Sequence, residues 1–112
     1  SGQVMVELVP ALALVIGAGG ILTELLRDSV TLLLPTSREE ITRALKSLKV
    51  WKLVEGFRGK SGDQQAVIAA ILAVADFAAA HRTKIEELDV NPLLVLPNGA
   101  VAVDALIRMR RD

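Results

Sequence analysis

Three oxygen-bearing side chains recur at alternate positions in Glu87-Leu88-Asp89-Val90-Asn91-Pro92-Leu93-Leu94. A fourth follows after the turn Pro97-Asn98-Gly99, in Val101-Ala102-Val103-Asp104. The period of two predicts a β-hairpin with Leu88, Val90, Leu94 and Leu96 on one face and Glu87, Asp89 and Asn91 on the other. On the return strand Val101, Val103, Ala105 and Ile107 form the apolar set, with Ala100, Ala102, Asp104 and Leu106 opposite. Loop parity decides whether the two polar sets share a face, because a slip of one residue turns every side chain over. A two- or four-residue loop around Asn98-Gly99 pairs Leu94 with Val103 and Leu93 with Asp104. Asn91 and Asp104 then lie diagonal to one another, roughly 7–8 Å apart, and their side-chain oxygens reach a common cation. A three-residue loop would instead bury Asp104 among leucines unpaired, a costly arrangement, so the even loop is expected. A second reading of the same run is turn chemistry alone, since Asn before Pro is held extended and its amide often bonds local backbone.

The elements that must position this hairpin are legible along the chain. Val4 to Leu8 alternates and reads as a strand ended by Pro10. Ala11 to Gly17 reads as a second strand, and Val30 to Leu34, closed by Pro35, as a third. Ser37-Arg38-Glu39-Glu40 is a capping-box start, Ser37 hydroxyl and Glu40 carboxylate each taking a backbone amide, and Ile41, Ala44, Leu45 and Leu48 follow at helical spacing. A short helical turn is expected over 50–57. Beyond the loop Arg58-Gly59-Lys60-Ser61-Gly62, Asp63 caps a long helix to about Arg82, with Val67, Ile68, Ile71, Leu72, Ala75 and Ala79 along its buried stripe. The order predicts an α+β fold, an antiparallel or mixed sheet with two main helices on one face.

Composition narrows the function. The 112 residues suit one domain with a modest core; 52% are apolar, and 13 basic residues balance 13 acidic ones. That balance argues against a nucleic-acid partner, which needs a basic stripe, and only Arg108, Arg110 and Arg111 cluster. The absence of cysteine excludes disulfides and thiolate chemistry and fits a cytoplasmic setting. The longest apolar stretch, Ala66 to Ala80, contains Asp76 and is too short to span a bilayer, so no membrane partner is expected. Ser1-Gly2 reads as an expression scar, leaving residues 3–112 as a single domain. Trp51 and Phe57 read as core anchors. His81, the one histidine, falls at the end of the long helix without a triad partner and reads as a surface or capping residue.

Asp89-Val90-Asn91-Pro92-Leu93, with Asp104 on the return strand, resembles the end of the ATP-grasp domain in nucleoside-diphosphate-forming acyl-CoA synthetases, relatives of the succinyl-CoA synthetase β subunit. Gly17-Ala18-Gly19-Gly20, the following Ile21-Leu22-Thr23-Glu24-Leu25-Leu26-Arg27-Asp28, and Leu53-Val54-Glu55-Gly56-Phe57-Arg58-Gly59 extend the resemblance from about Gly17 to Ile107. The resemblance implies that Asn91 and Asp104 hold the Mg²⁺ that bridges ATP or ADP phosphates, and that Asp89 is the acidic, catalytic neighbour of a phosphorylated histidine. Gly19, Gly20, Glu24 and Arg58 are its candidates for nucleotide binding; structural glycines and a solvated arginine are the plain alternatives. Such an ion suits the motif, since Mg²⁺ takes few carboxylates, keeps waters and leaves positions for phosphate. Small Ala100 and Ala102 beside Asp104 are expected to leave room for the ligand. The resemblance departs at the start, where Pro10 runs directly into Ala11-Leu12-Ala13 although the family normally carries a further hairpin there.

The resemblance therefore implies part of the second lobe of an ATP-grasp domain, from an enzyme converting an acid, CoA and ATP to acyl-CoA, ADP and phosphate. Its partners would be a CoA-binding or ligase domain carrying the phosphohistidine and the missing first lobe. Apolar surface left open by that lobe makes a homo-oligomer a further expectation. Two other readings stand beside it: a regulatory synthetase-like module of a protein lysine acetyltransferase, and a scaffold that binds no ligand.

Overall fold

In the computed structural model, residues 2–20, 27–56 and 62–111 are described. Strands β1 (Gly2–Val9), β2 (Ala13–Ala18) and β3 (Ser29–Leu33) are followed by helices α1 (Arg38–Ser47), α2 (Trp51–Glu55) and α3 (Gln64–Ala80). The chain closes with β4 (Ile85–Val95), β5 (Ala100–Ala102) and β6 (Ala105–Met109). The sheet runs β3-β2-β1-β4-β5, and β6 also pairs with β4, continuing the line of β5. Every pairing is antiparallel, which settles the choice between an antiparallel and a mixed sheet.

Alternation builds the core. Val4, Val6 and Leu8 of β1, Leu14 and Ile16 of β2, and Leu88, Val90, Leu93 and Val95 of β4 are buried in one cluster with the helices. Gln3 and Glu7 stay exposed. Each of these Val and Leu side chains contributes about 1.5–3 kcal/mol by leaving water. Helix α1 offers Ile41, Ala44 and Leu45, and α2 offers Trp51 and Val54. Helix α3 buries Val67, Ile68, Ile71, Ala75 and Ala78, with Leu72 and Ala79 only partly covered. Its small Ala75 and Ala78 let the helix pack closely on the sheet.

Polar side chains fix where the elements start. Ser37 caps α1, its hydroxyl accepting from Glu40 N–H at 3.2 Å. The reciprocal half of the expected capping box is replaced, because the Glu40 carboxylate accepts from the Thr36 hydroxyl at 2.7 Å. Asp28 accepts from Lys49 N–H at 2.9 Å and Val50 N–H at 2.7 Å, one to each carboxylate oxygen. It thereby ties the entry to β3 to the α1–α2 junction. Pro10, Ala11 and Leu12 turn β1 directly into β2, Leu12 N–H reaching Val9 C=O at 3.1 Å, with Ala11 at φ 62°.

Asp28→Ala leaves two main-chain N–H groups without their charged acceptor, and the expected cost is about 2–3 kcal/mol. A urea titration checks this as a lower midpoint at unchanged slope; a midpoint equal to wild type would refute the bridging role.

Candidate functional site

The return of the chain after β4 has the even parity expected but a different register. Leu96 N–H bonds Gly99 C=O at 3.0 Å around a two-residue loop, Pro97-Asn98. Consequently Leu93 pairs with Ala102 and Leu94 with Val101, two positions short of the expected Asp104 and Val103. Farther along, Leu88 pairs with Ile107 and Asp89 with Leu106. Between them Asn91 N–H donates to Asp104 C=O and Val103 N–H to Pro92 C=O, each at 3.0 Å. Asn91 therefore meets Asp104 through a main-chain bond instead of lying diagonal to it, and both residues line one pocket.

A second correction concerns the faces. Leu88 and Val90 are buried as expected, but Leu93 and Val95 follow them inward, and Leu94 and Leu96 do not. The physical cause is a β-bulge: the two steps of β1 from Val4 to Val6 are matched by three steps of β4, from Leu93 to Val90. The extra residue falls at Asn91-Pro92, where proline has no N–H to give the ladder. The same phase change moves Ala100 to the core side, where it packs against the buried cluster, and sets Ala102 across from Leu93. These two alanines thus do not flank Asp104 on the ligand side.

Asp89, Asn91, Asp104 and Leu106 together line an open pocket of about 200 Å³. Burial raises the Asp89 carboxyl above the ordinary aspartate value of 3.8, and the negative charges of Glu87 and then Asp104 raise it further. Glu87 is engaged by Arg108 at 3.1 Å, and Glu86 lies 3.8 Å from the same guanidinium. No cation of the protein faces Asp89 or Asp104 among the described ion pairs. The described residues contain no group of three His, Cys, Asp or Glu arranged for a metal. The donor set is one amide and two carboxylates, which is too few to cage Ca²⁺ or Zn²⁺ but suits an ion that retains water and phosphate ligands.

Asn91 also joins the hairpin to the glycine turn. Its Oδ1 accepts from Gly20 N–H at 2.8 Å, and a carbonyl oxygen retains a second lone pair for another partner. Gly20 has φ +64°, and Gly19 runs so close to β1 that a Cβ there would stand 2.7 Å from Val4 O. Gly19 N–H donates to Gln3 C=O at 2.9 Å. Gly19 and Gly20 thus stand beside the pocket, an adjacency that a glycine cluster read from sequence cannot reveal. Glu24, Arg58 and Phe57 lie outside the described residues. Trp51 is buried, as expected. His81 ends α3, exposed, with its ring 4.5 Å from that of Phe77.

Comparison with known proteins identifies the family and the fold. The sequence model of the ATP-grasp domain family matches residues 11–109. The ADP-forming acetate–CoA ligase II of Archaeoglobus fulgidus is 37% identical over 91 residues, 81% of this chain and 13% of that protein. The β subunit of ADP-forming acetate–CoA ligase I of Pyrococcus furiosus is 29% identical over 93 residues, 83% of this chain and 40% of the subunit. A solved structure of acetyl-coenzyme A synthetase 1 from Candidatus Korarchaeum cryptofilum superposes with a TM-score of 0.83 at 28% identity. It covers 98% of this chain and 54% of its own, and it holds coenzyme A and Mg-AMPPCP, with a phosphohistidine segment pointing towards the nucleotide binding site. The chain spans well under half the length of these two curated relatives.

The raised Asp89 carboxyl has a consequence for stability. Its folded state holds a proton to higher pH than its unfolded state, so stability falls as pH rises from the ordinary value through the raised one. In metal-free buffer Asp89→Asn is expected to melt above wild type at pH 7, with the gain gone at pH 3. Thermal melts across this range check it, and a gain that persists at pH 3 would contradict the electrostatic cause.

Proposed function

This chain belongs to the ATP-grasp family, and from that premise we propose that it is the nucleotide-metal part of an ADP-forming acyl-CoA synthetase. The observation that carries the proposal is the direct opposition of Asn91 and Asp104 on the wall of one pocket with Asp89. The relatives described above are acetate–CoA ligases, and the matched structure holds a magnesium nucleotide analogue.

Asn91 Oδ1 and the Asp104 carboxylate would hold Mg²⁺, which when bound supplies positive charge against the phosphate oxygens of ATP or ADP. Gly20 N–H fixes the orientation of the Asn91 amide by donating to Oδ1, whose second lone pair would face the ion. Asp104 is carried to the same wall by the register of β4 with its return strand. Asp89 lies on that wall too, two residues from Asn91, as the acidic neighbour of the incoming phosphohistidine. Among the described residues no cation pairs with Asp89, which suits a site whose counter-charge arrives with the ligand. Gly19 and Gly20 bring main chain without side-chain bulk beside Asn91, and Glu24 and Arg58 complete the proposed nucleotide contacts. In phosphoryl transfer the protein mainly positions and stabilises charge, which is what this arrangement offers.

The phosphohistidine would come from a CoA-binding or ligase domain outside this chain, and the first ATP-grasp lobe would close the open side. Val103, Leu106 and Ile107 are exposed on the hairpin, which supports a docking partner or self-association there. A cytoplasmic setting fits this chemistry; among the described residues no helix is long and apolar enough to cross a membrane. The acetyltransferase-module reading finds no support among the relatives described. A ligand-free scaffold gives no reason for two carboxylates, Asp89 and Asp104, to share a pocket wall.

The test is Mg-ADP titration by calorimetry into the protein with both lobes present, comparing wild type with Asp104→Ala. A loss of at least about tenfold in affinity is expected. Equal affinities would remove the metal assignment.

A further inference from the structure

We infer that Asp63 is a positioning residue for the Asn91–Asp104 pair, setting the register of the hairpin from a helix outside it; the inference rests on the reading of these two residues as metal ligands. Asp63 is the N-cap of α3, where one carboxylate oxygen accepts from Ala66 N–H at 3.0 Å. Capping needs no more than that, and Ser or Asn serves as well. The other oxygen accepts from Gly99 N–H at 2.8 Å, and Asp63 N–H donates to Leu96 C=O at 2.7 Å. Leu96 C=O and Gly99 N–H are the two groups that a four-residue β-turn normally joins to each other. Here each is bonded to Asp63, so the residue stands in for the turn's own closing bond.

The turn needs such help. Two-residue hairpins favour primed turns with positive φ at their first central position, and proline there is locked near −65°. Pro97-Asn98 therefore lacks the local preference that would select this loop over a longer one. Each alternative loop length moves Asp104 along or across the sheet, away from Asn91. A clamp on Leu96 and Gly99 removes that freedom, and the geometry that brings the two ligands face to face follows from it.

Asp63→Asn and Asp63→Ser separate the two roles, because either variant retains a cap for α3 while neither offers two acceptor oxygens, one to Ala66 N–H and one to Gly99 N–H. Amide hydrogen exchange on the full chain is the readout. Exchange at Gly99, Asn91 and Val103 is expected to quicken about tenfold, with amides inside α3 such as that of Ile71 unchanged. Unchanged exchange at Asn91 and Val103 would overturn the inference, as would an equal loss throughout α3, which would make Asp63 a helix cap only. A parallel titration with Mn²⁺ as the probe should show weaker binding in both variants and none in Asp104→Ala. Mn²⁺ binding that ignores Asp104→Ala counts against the metal reading, while the exchange result still decides the clamp.

Discussion

The cross-strand register around Pro97-Asn98 governs everything this structure presents to solvent as chemistry. A strand's side chains have two faces only, so any shift by one residue exchanges the oily set for the polar one. A shift by two keeps the faces and changes the partners. The observed register leaves Asn91 across from Asp104 and Asp89 across from Leu106. The bulge at Asn91-Pro92 then allows Leu93 and Val95 to enter the core without carrying Asn91 in with them. The core and the pocket wall are thus two outcomes of one pairing.

The electrostatics of the wall follow. Asp89 is partly desolvated and faces the negative fields of Glu87 and Asp104, while Arg108 is directed to Glu86 and Glu87. A cation placed between Asn91 and Asp104 reverses the sign of that local field, favouring the ionised form of Asp89. The hydrogen bond from Gly20 to Asn91 adds a mechanical link, since it couples the turn after β2 to the hairpin 71 residues later. Nothing in the core needs that bond; it serves the orientation of one amide.

Much of this was legible in the residues, and the failures have definite physical causes. Helix α1 announced itself through Ser37 and the spacing of Ile41, Ala44 and Leu45, and α3 through Asp63 and its apolar stripe. The parity of the hairpin followed from the cost of burying Asp104, because a desolvated carboxylate excludes whole families of register. The exact register did not follow. Asn98-Gly99 is the stronger local turn signal, yet the loop centres on Pro97-Asn98 because Asp63, far away in sequence, bonds both of its ends. The bulge was hidden for a similar reason: it is a property of β1 pairing with β4, and strict alternation along β4 alone cannot show an extra residue. Gly19 and Gly20 could be suspected from composition but not placed, since their closeness to Asn91 depends on β1 lying between β2 and β4.

The placement of the pocket also explains why the chain presents apolar side chains there. Leu106 lines the ligand side opposite Asp89, while Ile107, on the other face, borders a second cavity of about 220 Å³ with Phe77, Leu88 and Val90. Both residues are about half exposed, so the return strand carries unpaired apolar surface on each face at the free side of β4. A magnesium nucleotide in an open groove of this kind would remain largely hydrated, and charge–charge interactions weaken in proportion to the local dielectric. Covering Leu106 with the first lobe would exclude water from the same wall that bears Asp89, Asn91 and Asp104. Docking of that lobe and tight binding of the ion are therefore expected to reinforce one another, because each lowers the dielectric or the charge that opposes the other.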